Sequence, residues 1–516
     1  MKKIMNIRPV FITALAMLVA CAFAICVAKS VTAKLVVFIV FAVLFALFVI
    51  LRFALKIKVF SLLASISLFV ALPFLSLFIK ANELQKYEKF NSSEAIVVGR
   101  ILETKLYSES SFYIVLDDAV VRNANESEKV NGKISFYVAA KNLDLRNFEI
   151  GRYITVKGDF TFFSLDENGN ANSAQKLARG LVAKGSVKYY NIEVSDKVKL
   201  TFRDKVRNKV FDKLEKFGGK HFDIGYAMLF GESSAIDDEV TDVFRATGIA
   251  HLLAVSGLHV SVIVLAVNFI LKKLRFPKAL NIVLLSSLLV LYCYLCEFSV
   301  SVIRASLMAV FLLFIKMRGK PYDKLTCLSL VAIVVLCISP LQIFSVSFVL
   351  SFSAVLSIIL IAVPLTRFLS KIFYPKIAGT LALIIAVQLG LFVSTVFYFG
   401  RFSLVGILTN FVSVPIASFA FIYLIFALIV SFILPFASAM LGLFSTIMSV
   451  VVKFNFWATG LGLVMNFSNM KWLTVIVALV VIYILSDYVF IKRNTKVMAS
   501  LILLLICTFV NLLFLL

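Results

Sequence analysis

The chain has 516 residues, 61% of them hydrophobic and only 16% charged, with a mean hydropathy of +1.00. Soluble domains run near ~45–50% apolar and ~25% charged, so these values exclude a soluble globular enzyme, a disordered chain and a disulfide scaffold, and set most of the chain against lipid. The net charge of +24 does not imply nucleic acid: residues 80–245 hold 26 basic and 25 acidic side chains, leaving 26 basic and 3 acidic for the apolar remainder, the loop bias of a membrane protein.

A helix crosses the bilayer with ~20 mostly apolar residues. Three such runs open the chain, at 9–28, 35–51 and 59–79. The first follows a basic start, but it lacks a small-x-small cleavage site before Lys29 and is expected to be retained as a helix.

The polar stretch follows. From about 90 to 195, β-branched and aromatic bursts begin at 94, 111, 132, 152 and 185, separated by segments rich in Asn, Ser and Glu. They predict five strands, which suits an OB-like Greek-key barrel, although composition does not separate this from another small sandwich. Its aromatics include the adjacent pairs Phe112 and Tyr113, Phe136 and Tyr137, and Tyr189 and Tyr190. Strand side chains alternate, so one ring of each pair is expected to face the core and the other outward. Outward rings suit either stacking of single-stranded bases or packing against the membrane region. Residues 197–220 carry nine basic and three acidic side chains with an apolar residue recurring at helical spacing, an amphipathic helix for the outer membrane surface.

Beyond it, crossings are expected near 252–271, 279–296, 299–316, 325–339, 345–364, 378–398, 411–433, 437–457, 472–490 and 498–515, about thirteen in all. With the N-terminus inside, the cytoplasmic loops collect twenty Lys and Arg against five outside, so residues 80–245 and, with an odd helix count, Leu516 are expected to be extracytoplasmic. The fold class is therefore a polytopic α-helical membrane protein with an extracytoplasmic OB-like β-barrel domain. Four segments are expected: a three-helix membrane segment (1–80), the β domain (81–196), membrane-surface helices (197–247) and a transmembrane domain (248–516). All seven cysteines fall in apolar runs, so no disulfide braces the polar domain, and Cys293-x-x-Cys296 reads as small packing residues.

The most informative stretch is ATGIAHLLAVSGLHVSVIV, residues 246–264, where His251, Ser256, Gly257 and His259 interrupt an apolar run. Polar groups at membrane depth are expensive and are functional candidates by default. Ser256 and His259 lie three apart, on one helical face. Glu297 and Arg304 are the notable charges in the core helices; they suit a mutual pair, interfacial snorkelling or, for Arg304, a phosphate contact.

The run LFGESSAIDDEVTDVFRATGIAHLLAVSGLHVSV closely resembles the signature of ComEC-type competence proteins, which pass transforming DNA through the cytoplasmic membrane. The resemblance continues at VIRASLM with Arg304, at PYDKLTCLSL with Asp323, at SFVLSFSAVLSI, and at QLGLFVSTVFYFGRFSLVGILTNFVSVP with Gln388, Arg401, Asn410 and Pro415. Two departures are local: Ser345, Ser347 and Val349 stand where the family usually has Asp, Gly and Gln, and Val393 where it often has a helix-breaking proline. A third is the metallo-β-lactamase-like domain that many members append, which is not expected here because its metal site needs a dense His/Asp cluster and the chain has three histidines.

The resemblance implies a channel for single-stranded DNA whose path includes His251, Ser256, Gly257, His259, Arg304, Gln388, Arg401 and Asn410. It also implies an outer DNA receptor, a separate nuclease, and a cytoplasmic helicase or single-strand-binding protein as partners, with membrane lipids around the chain. No cofactor, metal or catalytic residue is expected: there is no phosphate-binding G-x-x-x-x-G-K-[ST] loop and no G-x-S-x-G elbow around Ser256. The competing readings are a polar-solute or lipid exporter with a ligand-binding β domain, and a membrane-embedded hydrolase using Ser256 and His259.

Overall fold

The computed structural model describes residues 9–26, 30–57, 59–91, 95–108, 111–123, 126–139, 148–165, 171–319, 321 and 323–466, with Val477, Val481 and Ser500 beyond them. It divides into two compact units, residues 9–208 with 332–345, and residues 209–331 with 346–516.

The first unit opens with α1 (Pro9–Cys26), α2 (Val31–Leu55) and α3 (Val59–Glu88). Ser30 begins α2 by accepting the Ala33 N–H at 3.0 Å, and Lys56 ends it in the left-handed conformation. At ~1.5 Å per residue, the 30 residues of α3 make about 45 Å, more than the ~30 Å of a hydrocarbon core. Its last turns carry Lys80, Glu83, Lys86 and Glu88 and run into the β domain. There Tyr87 Oη accepts the Asn131 N–H at 3.1 Å and its ring packs 5.8 Å from Phe162.

The β domain contains β1 (Ala95–Ser108), β2 (Ser111–Arg122), β3 (Ser127–Lys129), β4 (Lys133–Ala139) and β5 (Arg152–Phe162), then α4 (Ala171–Ala178), β6 (Leu181–Lys188) and β7 (Ile192–Val198). Five of these strands close a ring: β1 pairs antiparallel with β2 and β5, β2 with β4, and β5 with β6, while β4 and β6 pair in parallel. The small β3 extends β2, and β7 extends β5. The period-two rule is plain in β5, where Ile154, Val156, Gly158, Phe160 and Phe162 are buried and Lys157, Asp159 and Thr161 are exposed. Gly185 on β6 is required by close approach: a Cβ there would stand 2.6 Å from the Phe160 ring. The expected single strand from 185 is instead two, because Tyr189–Asn191 form a 3-10 turn between β6 and β7.

After β7, α5 (Phe202–Phe217) begins with a Thr201-x-x-Asp204 box, in which Asp204 Oδ2 accepts the Thr201 N–H at 2.9 Å and Thr201 Oγ1 accepts the Asp204 N–H at 3.2 Å. The same Asp204 oxygen receives Arg100 Nη1 at 2.7 Å, while Arg100 Nε donates to Asp117 at 2.7 Å and Nη1 also to the Lys199 carbonyl at 3.1 Å. This buried network fixes the start of α5 to the barrel wall. The expected helix over 197–220 is thus shorter, since β7 continues to Val198. Of the recurring apolar residues Phe202 and Phe217 are exposed, and the buried face carries Asp204, Arg207, Val210 and Leu214.

The second unit is helical: α6 (Phe222–Phe230), α7 (Asp238–Ala246), α8 (Gly257–Lys273), α9 (Lys278–Leu295), α10 (Val300–Met317) and α11 (Lys324–Ile338), whose last turns belong to the first unit. It continues with α12 (Val346–Ser357), carried through a π turn at 358–362 into α13 (Val363–Leu369), then α14 (Pro375–Phe399), β8 (Arg401–Ser403), α15 (Gly406–Ile433), α16 (Leu441–Thr459) and β9 (Val464–Asn466). Asp323 caps α11, accepting the Thr326 N–H at 3.2 Å. α14 is unbroken through Val393, where the family often has proline.

The chain is a polytopic membrane protein: among the described residues eight helices are long and apolar enough to cross a bilayer, and α1 and α11 are shorter apolar helices. The crossings expected at 472–490 and 498–515 lie outside the described residues. The crossing expected at 252–271 is displaced, because residues 253–256 are irregular and α8 begins only at Gly257. Large apolar side chains such as Leu265, Phe269, Val290, Phe419 and Phe426 are exposed, as lipid-facing surfaces require. Within the unit, seven of the nine residues of α6 are buried, and it packs against Ala420, Phe421 and Leu424 of α15 and Leu441, Phe444 and Met448 of α16.

Candidate functional site

The site grows from the end of α7. Asp237 accepts the Glu239 N–H at 3.1 Å to start that helix, and Gly248, with φ +74°, stops it, the left-handed position that glycine adopts without strain. The irregular segment that follows is held by α15. Thr409 Oγ1 donates to the Thr247 carbonyl at 2.7 Å, and Asn410 Nδ2 to the carbonyls of Gly406 at 2.6 Å and Gly248 at 3.5 Å. Gln388 reaches the same place from α14, its amide nitrogen only 2.5 Å from where a Cβ on Gly406 would stand. Backbone carbonyls that a helix would have used internally are thus satisfied by side chains.

Nine residues after Thr247, Ser256 starts α8 with one half of a capping box with His259, its own Oγ being buried without a hydrogen-bond partner. The Ser256 N–H donates to His259 Nδ1 at 3.2 Å. With Nδ1 accepting, the neutral imidazole carries its proton on Nε2, and that atom is buried without a hydrogen-bond partner. The ring, fully buried, lies 4.4 Å from Phe421. This arrangement is not that of a hydrolytic pair, in which the imidazole would accept from the serine hydroxyl.

Arg304 comes from α10. Its side chain is 6% exposed, Nη1 donates to the Ser351 carbonyl at 2.5 Å, and Nε is buried without a partner. Nη2 occupies the space that Gly257 leaves open, 2.5 Å from where a Cβ would be. The mutual pair with Glu297 is not formed: among the described residues the partner of Arg304 is the Ser351 carbonyl. One turn away, Ser301 and Ser347 hydroxyls meet at 3.2 Å.

Of the other residues singled out from the sequence, His251 is exposed in the 3-10 turn Ala250–Leu252. Arg401 is exposed on β8, opposite Asn466, and makes none of these contacts. Sequence reasoning missed Thr247, Thr409 and Ser351, and also Asn455, whose Nδ2 donates to Ser413 Oγ at 2.8 Å. Ser and Thr inside apolar runs were the available signal, but many such residues only bond their own helix, as Ser329 and Ser418 do. Cys293 and Cys296 pack as expected, with Cys296 Sγ against the Leu229 carbonyl at 3.6 Å. Among the described residues no three His, Cys, Asp or Glu side chains converge to hold a metal.

In the β domain the aromatic pairs resolve differently. Phe112 and Phe136 are buried inside the barrel and are unavailable for stacking, because the pleat turns them inward. Tyr113 and Tyr137 face outward with ring centroids 5.1 Å apart. Tyr189 and Tyr190 are both exposed, since a 3-10 turn does not alternate sides, and Lys188 Nζ lies 5.9 Å from the Tyr190 centroid. On β2, Asp118 is held below the usual carboxylate range by hydrogen bonds from Lys129 and Tyr153, against a small opposing effect of burial. For Asp204, burial alone would raise the pKa, but the Thr201 and Arg100 hydrogen bonds outweigh it and leave it lowered.

The sequence model described as competence protein matches residues 228–493, just over half of the chain. "Recombination protein 2" of Haemophilus influenzae is 29% identical over 218 residues, 39% of this chain and 27% of that protein. "ComE operon protein 3" of Bacillus subtilis is 33% identical over 134 residues, 26% of this chain and 17% of that protein. An uncharacterized protein of Aquifex aeolicus is 33% identical over 169 residues, 32% of this chain and 40% of that protein. The chain therefore spans between about a sixth and two fifths of the length of these curated relatives. No solved structure matches.

Proposed function

The chain belongs to the competence protein family, and from that premise we propose that it is a channel passing single-stranded transforming DNA across the cytoplasmic membrane. The observation that carries the reading is the segment 247–256 and the short α6 and α7 before it. Nine-residue helices are too short to cross a bilayer, yet α6 is packed inside the helical unit. Non-helical backbone at membrane depth is tolerated only where protein buries it or water lines it. Here Thr247, Gly248, Gln388, Thr409 and Asn410 make it polar. A polyanion cannot enter hydrocarbon, so its path must be polar and hydrated, and this polar segment is where the reading places it. His251, Ser256, Gly257, His259, Arg304, Gln388 and Asn410 belong to that path in this reading, and Arg401 stands at its edge.

The rest of the molecule fits the same function. The ring β1–β2–β4–β6–β5, with one parallel pairing between β4 and β6, supports the OB-like reading of the barrel, and Tyr113, Tyr137, Tyr189 and Tyr190 offer a stacking surface with little base preference. The thirteen crossings, the extracytoplasmic placement of residues 80–245 and Leu516, and the four-segment organisation rest on hydropathy and loop charge. Strand degradation and energy come from partners: an outer DNA receptor, a separate nuclease, and a cytoplasmic helicase or single-strand-binding protein. The test is deletion of the gene with DNA uptake to the envelope and transfer to the cytoplasm assayed separately. The deletion strain is expected to accumulate protected DNA outside the cytoplasm and yield no transformants; normal transformation refutes the reading.

A further inference from the structure

Arg304 raises an electrostatic problem that the rest of the unit does not solve. The residue is 6% exposed, and its guanidinium has no carboxylate partner among the described residues and one accepting carbonyl, that of Ser351. An arginine does not neutralise itself by losing a proton, and a buried charge without a counter-charge is costly.

The neighbourhood adds to the cost. Nη2 packs against Gly257, the first residue of the 17-residue α8, so the cation sits at the positive end of a helix dipole beside first-turn N–H groups that have no helical acceptor. Arg304 Nε is a buried donor without an acceptor, whereas His259, two residues on from Gly257, turns its ring to another side of α8, against Phe421. At the helix start the fixed charge is positive, Arg304 Nε is a donor and the unpartnered Ser256 hydroxyl can donate, which is the pattern of a site missing an anion.

We infer that Arg304 and the first turn of α8 form an anion site for a tetrahedral phosphate oxyanion. The guanidinium matches two phosphate oxygens in a fork, with Nη2 and the unpartnered Nε turned to the anion while Nη1 keeps the Ser351 carbonyl. Gly257 is the residue that permits it, because any side chain there occupies the place of Nη2. A phosphodiester of the nucleic acid backbone, a phospholipid headgroup and free phosphate share this chemistry. The first of these rests on the channel reading, whereas the site itself does not.

The experiment uses the full chain purified in a neutral detergent. Thermal unfolding is followed in phosphate and in chloride at equal ionic strength, for the wild type, Arg304→Gln and Gly257→Ala. Phosphate is expected to raise the unfolding temperature of the wild type, with affinity reduced roughly tenfold or more in Arg304→Gln, the loss typical of removing one partner of a buried charged contact. Gly257→Ala keeps every charge and displaces the guanidinium, so it is expected to weaken the response as well, which locates the site if Arg304→Gln does not fold.

A short oligothymidylate that displaces phosphate, where its methylphosphonate analogue does not, identifies the phosphodiester as the source. Displacement only by phosphatidylglycerol nanodiscs, and not by phosphatidylcholine nanodiscs, identifies the headgroup and supports the anion site without the channel. No phosphate response in the wild type, or equal responses in all three proteins, overturns the site, and transformation by the Arg304→Gln strain then reports on the channel separately.

Discussion

Adding one methyl group at Gly257 tests the packing around Arg304 most directly. The new Cβ would stand 2.5 Å from Arg304 Nη2, whereas ordinary contact begins at 3.4 Å, so the guanidinium must retreat by about 1 Å. The Nη1 bond to the Ser351 carbonyl, now 2.5 Å, would stretch to about 3.5 Å, the limit of a hydrogen bond. A bond to a charged group is worth ~1.5–3 kcal/mol, and replacing glycine by alanine in a helix returns ~0.5–1 kcal/mol. Gly257→Ala is therefore expected to destabilise by ~1–2 kcal/mol. In an Arg304→Ala background the clash is gone, and the same substitution is expected to stabilise by ~0.5–1 kcal/mol. Thermal or denaturant unfolding of the four proteins in detergent measures this cycle. A Gly257→Ala penalty that is the same with and without Arg304 would refute the reasoning, because the contact would then not be its cause.

Four further outcomes are expected. Gly390→Val on α14 should destabilise strongly, since even a Cβ there would collide with the Ser357 side chain of α12, whereas Gly379→Ala on the same helix, with nothing within 4 Å, should be neutral or stabilising in the same unfolding assay. Asp204 and Asp118 have folded pKa values below the ordinary aspartate value of 3.8, so the stability they add is present above it and is lost as pH falls through their lowered values; Asp204→Asn should flatten that part of an acid-unfolding curve. Tyr137→Ala or Tyr190→Ala should weaken single-strand binding by the full chain by ~1–3 kcal/mol in an anisotropy titration without melting it, while Phe112→Ala, buried in the barrel, should cost ~3–5 kcal/mol of stability. Reporter fusions after Lys199 and after Leu516 should be active only outside the cytoplasm, and cytoplasmic activity at either would show that the span count is off by an odd number.

The membrane class and most of the spans were legible from hydropathy: 299–316 expected against α10 at Val300–Met317, and 378–398 against α14 at Pro375–Phe399. This works because lipid cannot satisfy backbone polar groups, so a long apolar run must become a helix whatever surrounds it. Four strand starts, those of β1, β2, β4 and β5, were legible for a similar local reason, the alternation that a pleat imposes on a half-buried surface, while β3, β7 and the start of β6 were not. The HLLAVSGLHV run also marked the region where Ser256, Gly257 and His259 come together. Periodicity, however, says which side of an element is apolar and not which element it meets. Only the tertiary structure decided that β4 and β6 pair in parallel across two intervening elements, and that Tyr189 and Tyr190 leave the strand in a 3-10 turn. It also decided that α8 starts at Gly257 rather than five residues earlier, and that Arg304 meets Gly257 and the Ser351 carbonyl rather than Glu297. Those partners lie tens of residues apart in the chain and are joined by helix packing, where a missing Cβ at one position sets how closely a charge on another helix approaches.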